Sequence, residues 1–154
     1  MLTYIPNGDL FASGCQALVN AVNCQGVMGA GLALQFRRRW PHMYAQYRTV
    51  CHQGRGTFQA GDLLALRVTE DGQYPEWIIN IATKAHWKDT SRIEWVQRGI
   101  EGLPDLIQRN ALHSIGIPAL GCGLGGLQFS QVRPIIDKVL GSLTDVDIRI
   151  FLPK

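Results

Sequence analysis

The sequence lacks the features of membrane-inserted, exported or disordered chains. No apolar run approaches the roughly 20 residues needed to cross a membrane. The first eleven residues, MLTYIPNGDLF, have no basic leader followed by an apolar stretch and so do not resemble a signal peptide. With 46% hydrophobic and 18% charged residues, the composition is typical of a folded chain. We expect one cytoplasmic domain spanning residues 1–154.

Cysteine is scarce, and its spacing excludes two common uses. The four cysteines form no CxxC pair and no Cys/His cluster at metal-ligand spacing, so we expect no metal site. Cys24 and Cys122 each lie in a glycine-rich segment, which leaves a cysteine nucleophile as an alternative. None of the four histidines is obviously placed to activate such a thiol. Buried, reduced thiols are the favoured interpretation.

Complete nucleotide-binding motifs are also missing. There is no GK[ST] sequence, which argues against a Walker-type ATPase. Residues 26–31, GVMGAG, space their glycines as GxxGxG. Residues 121–126, GCGLGG, satisfy GxGxxG after a predicted strand, but no second βαβ half follows them. A dinucleotide-binding fold of the Rossmann type is therefore not favoured.

Hydrophobic periodicity predicts alternating strands and helices. Strands are predicted at 2–5, 16–22, 62–68, 76–83, 114–120 and 147–152, and helices at 31–51 with a break at Pro41, 91–110 and 130–143. Asp71-Gly72 is a hairpin signal, and Ser91 or Thr90 is the expected N-cap of the 91–110 helix. Because the central strands are nearly continuous apolar runs, both faces of the sheet should be covered. The pattern predicts an α/β fold: a three-layer α/β/α domain with a central mixed sheet.

Two glycine-rich segments, 20–34 and 118–130, each follow a predicted strand and lead into a predicted helix. Bare backbone N–H groups beside a helix start attract anions, so the pair could hold a diphosphate from two sides. Tight turns for helix–strand packing are the structural alternative.

Polar and basic residues near the predicted strand ends allow two interpretations each. The Asp9 carboxylate could accept a hydrogen bond from an exocyclic amine of a ligand, or it could cap a turn. Asn20 and Asn23 could bind a ribose hydroxyl or satisfy backbone groups. The basic stretches 37–39 and 84–92 could form a solvated helix face or a surface that meets phosphates.

Taken in order, five segments resemble the macrodomain family. They are NGDLF (7–11), ALVNAVNCQGVMGAGLALQF (17–36), INIATKAHWK (79–88), IPALGCGLGGL (117–127) and RIFL (149–152). The motifs NCxGVMGxG and TKxHW are similar to the branch that contains the bacterial DarG antitoxins, which remove ADP-ribose from DNA, and the animal terminal ADP-ribose protein glycohydrolase. The resemblance covers the chain from end to end.

The resemblance implies a cleft that binds ADP-ribose as ligand and product, without a cofactor. Asp9 would accept a hydrogen bond from the adenine amine. Leu10 would lie beside Asp9, and Phe151 would lie near the base. The first glycine-rich segment would surround the distal ribose, and the second would wrap the diphosphate. The implied ligand-binding residues are Asp9, Leu10, Asn20, Asn23, Gly26, Val27, Met28, Gly29, Gly31, Leu32, Thr83, Pro118, Leu120, Gly121, Cys122, Gly123, Leu124, Gly125, Gly126, Leu127 and Phe151.

Lys84 is the candidate catalytic residue, because it follows an apolar strand within the TKxHW motif. As a neutral amine it could attack C1″ of the distal ribose. As an ammonium it could protonate or stabilise the leaving base. The animal relative carries an acidic residue in its second glycine loop, whereas this chain has Gly125 or its neighbour there. That difference favours the DNA branch over the protein-ester branch.

The predicted substrate is therefore a thymidine-linked ADP-ribose adduct on single-stranded DNA, with His86, Trp87, Lys88 and Arg92 as candidate DNA contacts. Trp87 could instead belong to the core. The expected protein is a monomeric ADP-ribosyl hydrolase that reverses a DarT-type toxin and contacts no membrane. The alternatives are a reader that binds ADP-ribose without turnover, and a hydrolase of ADP-ribosylated protein or O-acetyl-ADP-ribose.

Overall fold

The computed structural model describes residues 1–54, 56–70 and 72–154. Its strands are β1 (Leu2–Ile5), β2 (Ala17–Val22), β3 (Leu63–Arg67), β4 (Trp77–Ala82), β5 (Ser114–Ile117) and β6 (Asp147–Phe151). Its α-helices are α1 (Gly31–Arg39), α2 (Pro41–Cys51), α3 (Ile93–Arg109) and α4 (Phe129–Leu140).

The six strands form one mixed sheet in the order β1-β6-β5-β2-β4-β3. Neighbouring strands are parallel except β3 and β4, which pair antiparallel. As a result, the carboxyl ends of β5, β2 and β4 lie side by side at one edge of the sheet. Chain segments that leave these three strands therefore meet in space.

Successive side chains of each strand point to opposite faces of the sheet, so the strands contribute to two separate hydrophobic cores. This is expected for a sheet covered on both faces. On β2, Ala17 and Val19 join the core beneath α3 and α4, whereas Leu18 and Val22 join the core beneath α1 and α2. This arrangement confirms the three-layer α/β/α prediction. Within the described residues, none of the helices has both the length and the hydropathy of a membrane-spanning segment.

Most predicted elements are present with shorter bounds, and the predicted break at Pro41 is confirmed because the proline begins α2. The N-cap prediction for the 91–110 helix was wrong. Arg92 is the N-cap of α3 and makes no side-chain cap, whereas the Ser91 hydroxyl donates instead to Thr83. The hairpin signal Asp71-Gly72 falls partly outside the described residues, since Asp71 is not among them.

Candidate functional site

A cavity of about 670 Å³ lies where the chain leaves β2, β4 and β5. Three segments enclose it: the first glycine loop (residues 23–30), the basic segment (residues 83–92) and the second glycine loop (residues 118–128). The first residues of α1 complete the wall. Both glycine-rich segments of the sequence thus meet at one site, as the sequence predicted.

The side chain of Asn23 folds the first glycine loop. Its Oδ1 accepts from the backbone N–H of Gln25 over 2.9 Å and of Val27 over 3.4 Å, and its Nδ2 donates to Val27 O over 2.8 Å. The buried Tyr47 hydroxyl lies 2.7 Å from Asn23 O and 3.0 Å from Asn23 Oδ1. Asn23 therefore satisfies backbone groups, which was the structural alternative for this residue, while also lining the cavity.

The first glycine loop rests directly on α2. Gly26 has φ +82°, and a Cβ at this position would lie 3.1 Å from both Arg48 Cγ and His52 Nε2. The Tyr44 hydroxyl donates to Gly26 O over 3.0 Å. Because the loop needs both a left-handed backbone and a close approach here, glycine is required at position 26.

The N-terminus of α1 opens into the cavity. Ala30, the N-cap, makes no side-chain cap, and Ala30, Gly31, Leu32 and Ala33 all line the wall. The first N–H groups of a helix have no partner within the helix, and the helix dipole adds a partial positive charge there. This helix start is therefore suited to an anionic group such as a diphosphate.

The second glycine loop is closed by its own backbone. Leu127 N donates to Gly121 O over 2.8 Å, and Gly126 N donates to Gly123 O over 3.2 Å. Leu124 is 70% exposed, and its Cδ1 would lie 3.2 Å from a Cβ on Gly31. The second glycine loop thus approaches the N-terminus of α1 across the cavity, with Leu124 at the point of contact.

The basic segment is tied to both glycine loops. Cys24 N donates to Ala85 O over 3.2 Å on one side, and Ser91 N donates to Gly125 O over 2.9 Å on the other. Thr83 and Ser91 are buried, and the Ser91 hydroxyl donates to the Thr83 hydroxyl over 3.3 Å at the cavity wall. These contacts fix the backbone on either side of Lys84.

Lys84 is the one titratable side chain among the described residues that line the cavity. The remaining lining groups are apolar side chains, backbone, one amide, two hydroxyls and an indole. Within the part of the chain that the structure describes, the Lys84 ammonium makes no ion pair. The half-buried amine is therefore available to a ligand.

The candidate DNA contacts follow Lys84 at the cavity mouth. Trp87 is 51% exposed and lines the cavity, so it is not a core residue. His86 stacks on it with ring centroids 6.0 Å apart, and the Lys88 ammonium lies 5.1 Å from the same indole ring. Arg92 lies over Trp95 instead, 5.0 Å from that ring centre.

The other sequence-predicted residues divide into two groups. Those that line the cavity are Asn23, Val27, Gly29, Gly31, Leu32, Thr83, Pro118, Gly121, Gly123, Leu124 and Gly125. Those that do not are Asp9, Leu10, Asn20, Gly26, Met28, Leu120, Cys122, Gly126, Leu127 and Phe151. Asn20 is fully buried, with its Nδ2 3.2 Å from Asn80 Oδ1 and 3.8 Å from Met28 Sδ. Its Nδ2 thus donates within the core beneath the first glycine loop, while its Oδ1 has no hydrogen-bond partner among the described residues.

The predicted adenine-binding residues lie together at the carboxyl ends of β1 and β6. Leu10 and Phe151 are buried in one core cluster and both pack over Gly116 of β5. The Asp9 carboxylate caps a short 3₁₀ turn by accepting from Phe11 N over 3.0 Å. The structure thus brings the three residues together. Asp9 has the capping role that was one of its two alternatives in the sequence. Adenine binding at these residues stays a prediction.

The thiols are poorly suited to nucleophilic attack. Burial raises the pKa of Cys24 to about 11, with the nearby Cys51 as a smaller cause, and burial also raises the pKa of Cys122. A thiol must ionise to act as a nucleophile, so these shifts disfavour that role. Among residues 1–54, 56–70 and 72–154, no three His, Cys, Asp or Glu side chains cluster in a way that could hold a metal ion.

Sequence reasoning missed several lining residues: Ala21, Val22, Ala30, Ala33, Ser91 and Ala119. Five of them are apolar neighbours of predicted positions, at a strand end or a helix start. For Ser91 the sequence predicts helix capping, whereas its hydroxyl contacts Thr83, eight positions earlier in the chain. The signal available in the sequence was only a hydroxyl shortly after the TKxHW motif.

The chain is similar in sequence to a known protein family. The model of the Macro domain matches residues 19–136. The DNA ADP-ribosyl glycohydrolase of Mycobacterium tuberculosis is 39% identical over 155 residues, covering 99% of this chain but 42% of that protein. The chain therefore spans less than half the length of this curated relative.

Solved structures agree with the sequence match. The macrodomain of Mycobacterium tuberculosis DarG is 38% identical with a TM-score of 0.93, over 100% of this chain and 99% of that one. Thermosipho africanus DarTG in complex with ADP-ribose is 31% identical with a TM-score of 0.86, over 98% of this chain and 42% of that one. The chain belongs to the macrodomain family.

Proposed function

We propose that this chain hydrolyses the bond between ADP-ribose and thymidine in single-stranded DNA and thereby reverses a DarT-type toxin. The relatives named DNA ADP-ribosyl glycohydrolase and DarG support the reaction, since the match covers nearly the whole chain. The DarTG structure with ADP-ribose supports both the ligand and the toxin pairing.

The observation that carries the proposal is the position of Lys84 in the wall of the cavity. A diphosphate held by the α1 N-terminus and the second glycine loop leaves the distal ribose to the remaining wall, which contains Thr83 and Lys84. No acidic side chain occurs among the described lining residues. Chemistry at this ribose therefore depends on one amine and the substrate's own groups.

Hydrolysis breaks the bond between C1″ and a thymine nitrogen. The electron pair of that bond leaves with the nitrogen, which takes up a proton, and the oxygen of a water molecule joins C1″. In one route, neutral Lys84 Nζ first attacks C1″ and displaces the base, and water then releases the amine. In the other, the Lys84 ammonium donates the proton to the departing base while water attacks directly.

The test uses a thymidine-ADP-ribosylated oligonucleotide and catalytic amounts of protein. We expect Lys84→Ala to lower the rate of ADP-ribose release by at least about a hundredfold, the scale of a lost acid–base group. The affinity for free ADP-ribose, measured by calorimetry, should change little. Lys138→Ala, a charge loss on the exposed face of α4, is the matched control.

Three outcomes separate the alternatives. Binding of the modified strand with no free ADP-ribose would identify a reader and overturn the proposal. Faster release from glutamate-linked protein or O-acetyl-ADP-ribose than from DNA would assign a different substrate. Trapping of a Lys84 adduct by cyanoborohydride during turnover would select the nucleophilic route over proton donation.

A further inference from the structure

The part of the chain that forms the first glycine loop, α1 and α2 carries a larger positive charge than the chain as a whole. Between Asp9 and Asp62 the sequence contains five arginines and no aspartate or glutamate. The whole chain has 15 basic and 12 acidic residues, so outside this stretch acidic residues outnumber basic ones by twelve to ten. Four of the five arginines lie on α1 or α2, so this helix layer carries an excess of positive charge.

An open groove of about 550 Å³ lies on this side, along α2. We call it the α2 groove; it is lined by Tyr44, Ala45, Arg48, Thr49, His52 and Gln53. Arg48 and His52 are exposed, and the Arg37 guanidinium lies over the Tyr44 ring, 4.4 Å from its centre. No carboxylate among the described residues forms an ion pair with Arg37 or Arg48.

The α2 groove adjoins the mouth of the cavity through Gln25. His52 Nε2 lies 3.1 Å from Gln25 O, and the side-chain oxygen of Gln25 accepts from Trp87 N over 3.1 Å. Trp87 lines the cavity, so a single residue, Gln25, separates the mouth from the groove. A strand whose modified nucleotide enters the cavity would meet Trp87 first and the α2 groove next.

We propose that the α2 groove binds the DNA strand next to the modified nucleotide, with Arg48 and Arg37 contacting its phosphates. The proposal rests on the proposed function, because it takes the modified strand as the substrate. Arg48 in the open groove and Arg37 beside it, over the Tyr44 ring, form no ion pair with a carboxylate of the described residues and so suit a phosphate backbone. Such phosphate contacts position a strand without reading its sequence. The groove thus makes the enzyme prefer modified strands to modified mononucleotides.

The experiment compares two substrates: ADP-ribosylated thymidine monophosphate, and an oligonucleotide with about four nucleotides on each side of the same adduct. For the wild-type protein, kcat/KM should be about tenfold higher on the oligonucleotide in low salt. The double variant Arg37→Gln/Arg48→Gln should lose most of this gain. Each lost phosphate contact should also make the negative slope of log kcat/KM against log salt shallower by about 0.7.

Two control variants separate charge from packing. Arg48→Lys keeps a cation and the aliphatic contact near Gly26, so it should retain most of the gain. Arg109→Gln removes an exposed arginine at the end of α3, in the opposite helix layer, and should retain all of it. An equal gain in the double variant, or no gain in the wild-type protein, would overturn the proposal.

Failure of the proposed function gives a different result. In that case the wild-type protein would release ADP-ribose from neither substrate. Fluorescence anisotropy of the labelled, modified oligonucleotide then decides the role of the groove without turnover. Weaker binding by Arg37→Gln/Arg48→Gln, but not by Arg109→Gln, would support the groove, and unchanged binding would overturn it.

Discussion

Ser91 occupies the space into which a side chain at Gly125 would point. Ser91 N donates to Gly125 O over 2.9 Å, and a Cβ on Gly125 would lie only 2.3 Å from Ser91 Oγ and 2.5 Å from Gly121 O. The backbone of Gly121 and the side chain of Ser91 therefore leave no room for a side chain at position 125.

Gly125→Ala should damage the second glycine loop, whereas Gly123→Ala should be tolerated. The new methyl group at position 125 would force the backbone of Gly121 and the side chain of Ser91 apart, at a cost of about 1–3 kcal/mol. A Cβ on Gly123 meets no atom within 4 Å. Chemical denaturation and ADP-ribose calorimetry on both variants check this; equal behaviour of the two would contradict it.

Tyr47→Phe should loosen the first glycine loop. The substitution removes the hydroxyl that lies within hydrogen-bond distance of both Asn23 O and Asn23 Oδ1 in a buried environment. A buried acceptor without its donor costs about 1–3 kcal/mol, so the free energy of unfolding should fall by that amount. ADP-ribose affinity should fall with it. Tyr74→Phe, at a half-exposed ring, is the control for loss of a hydroxyl and should change neither quantity.

Alkylation should report on the state of the thiols. Because burial raises the pKa of Cys24 to about 11 and also raises that of Cys122, iodoacetamide should modify both slowly at neutral pH, and faster as the pH rises. The same shift predicts a pH dependence of stability. In the unfolded chain Cys24 loses its proton near the ordinary pKa of 9.0, whereas in the folded chain it keeps the proton up to about 11. The free energy of unfolding should therefore fall as the pH rises from 9.0 to about 11. Rapid labelling of Cys122 with parallel loss of activity would instead indicate a cysteine nucleophile.

Trp87→Ala should raise KM for modified oligonucleotides more than it lowers kcat. The exposed indole stands at the cavity mouth, and stacking of a base on an aromatic ring is worth about 1–3 kcal/mol. Trp87→Phe keeps an aromatic face and should recover much of the loss. Steady-state kinetics on one oligonucleotide compare the three proteins. A fall in kcat alone, with KM unchanged, would assign Trp87 to a different role.

Much of this protein was predictable from patterns that depend on local chemistry. The short, nearly continuous apolar runs identified the strands, and Pro41 marked the boundary between α1 and α2. The glycine-rich segments and Lys84 could be placed at strand ends because parallel strands carry their loops to one edge of the sheet. These features are properties of short stretches, so they are visible in a single sequence.

The sequence by itself thus determined the elements, the edge of the sheet that carries the site, and the candidate amine. Only the tertiary structure decided that Tyr47 organises Asn23, that Ser91 fills the space beside Gly125, and that the α2 groove adjoins the cavity. Each of these depends on atoms brought together from distant parts of the chain. Close packing, which sets such contacts to within a few tenths of an ångström, leaves no periodic signal in the sequence.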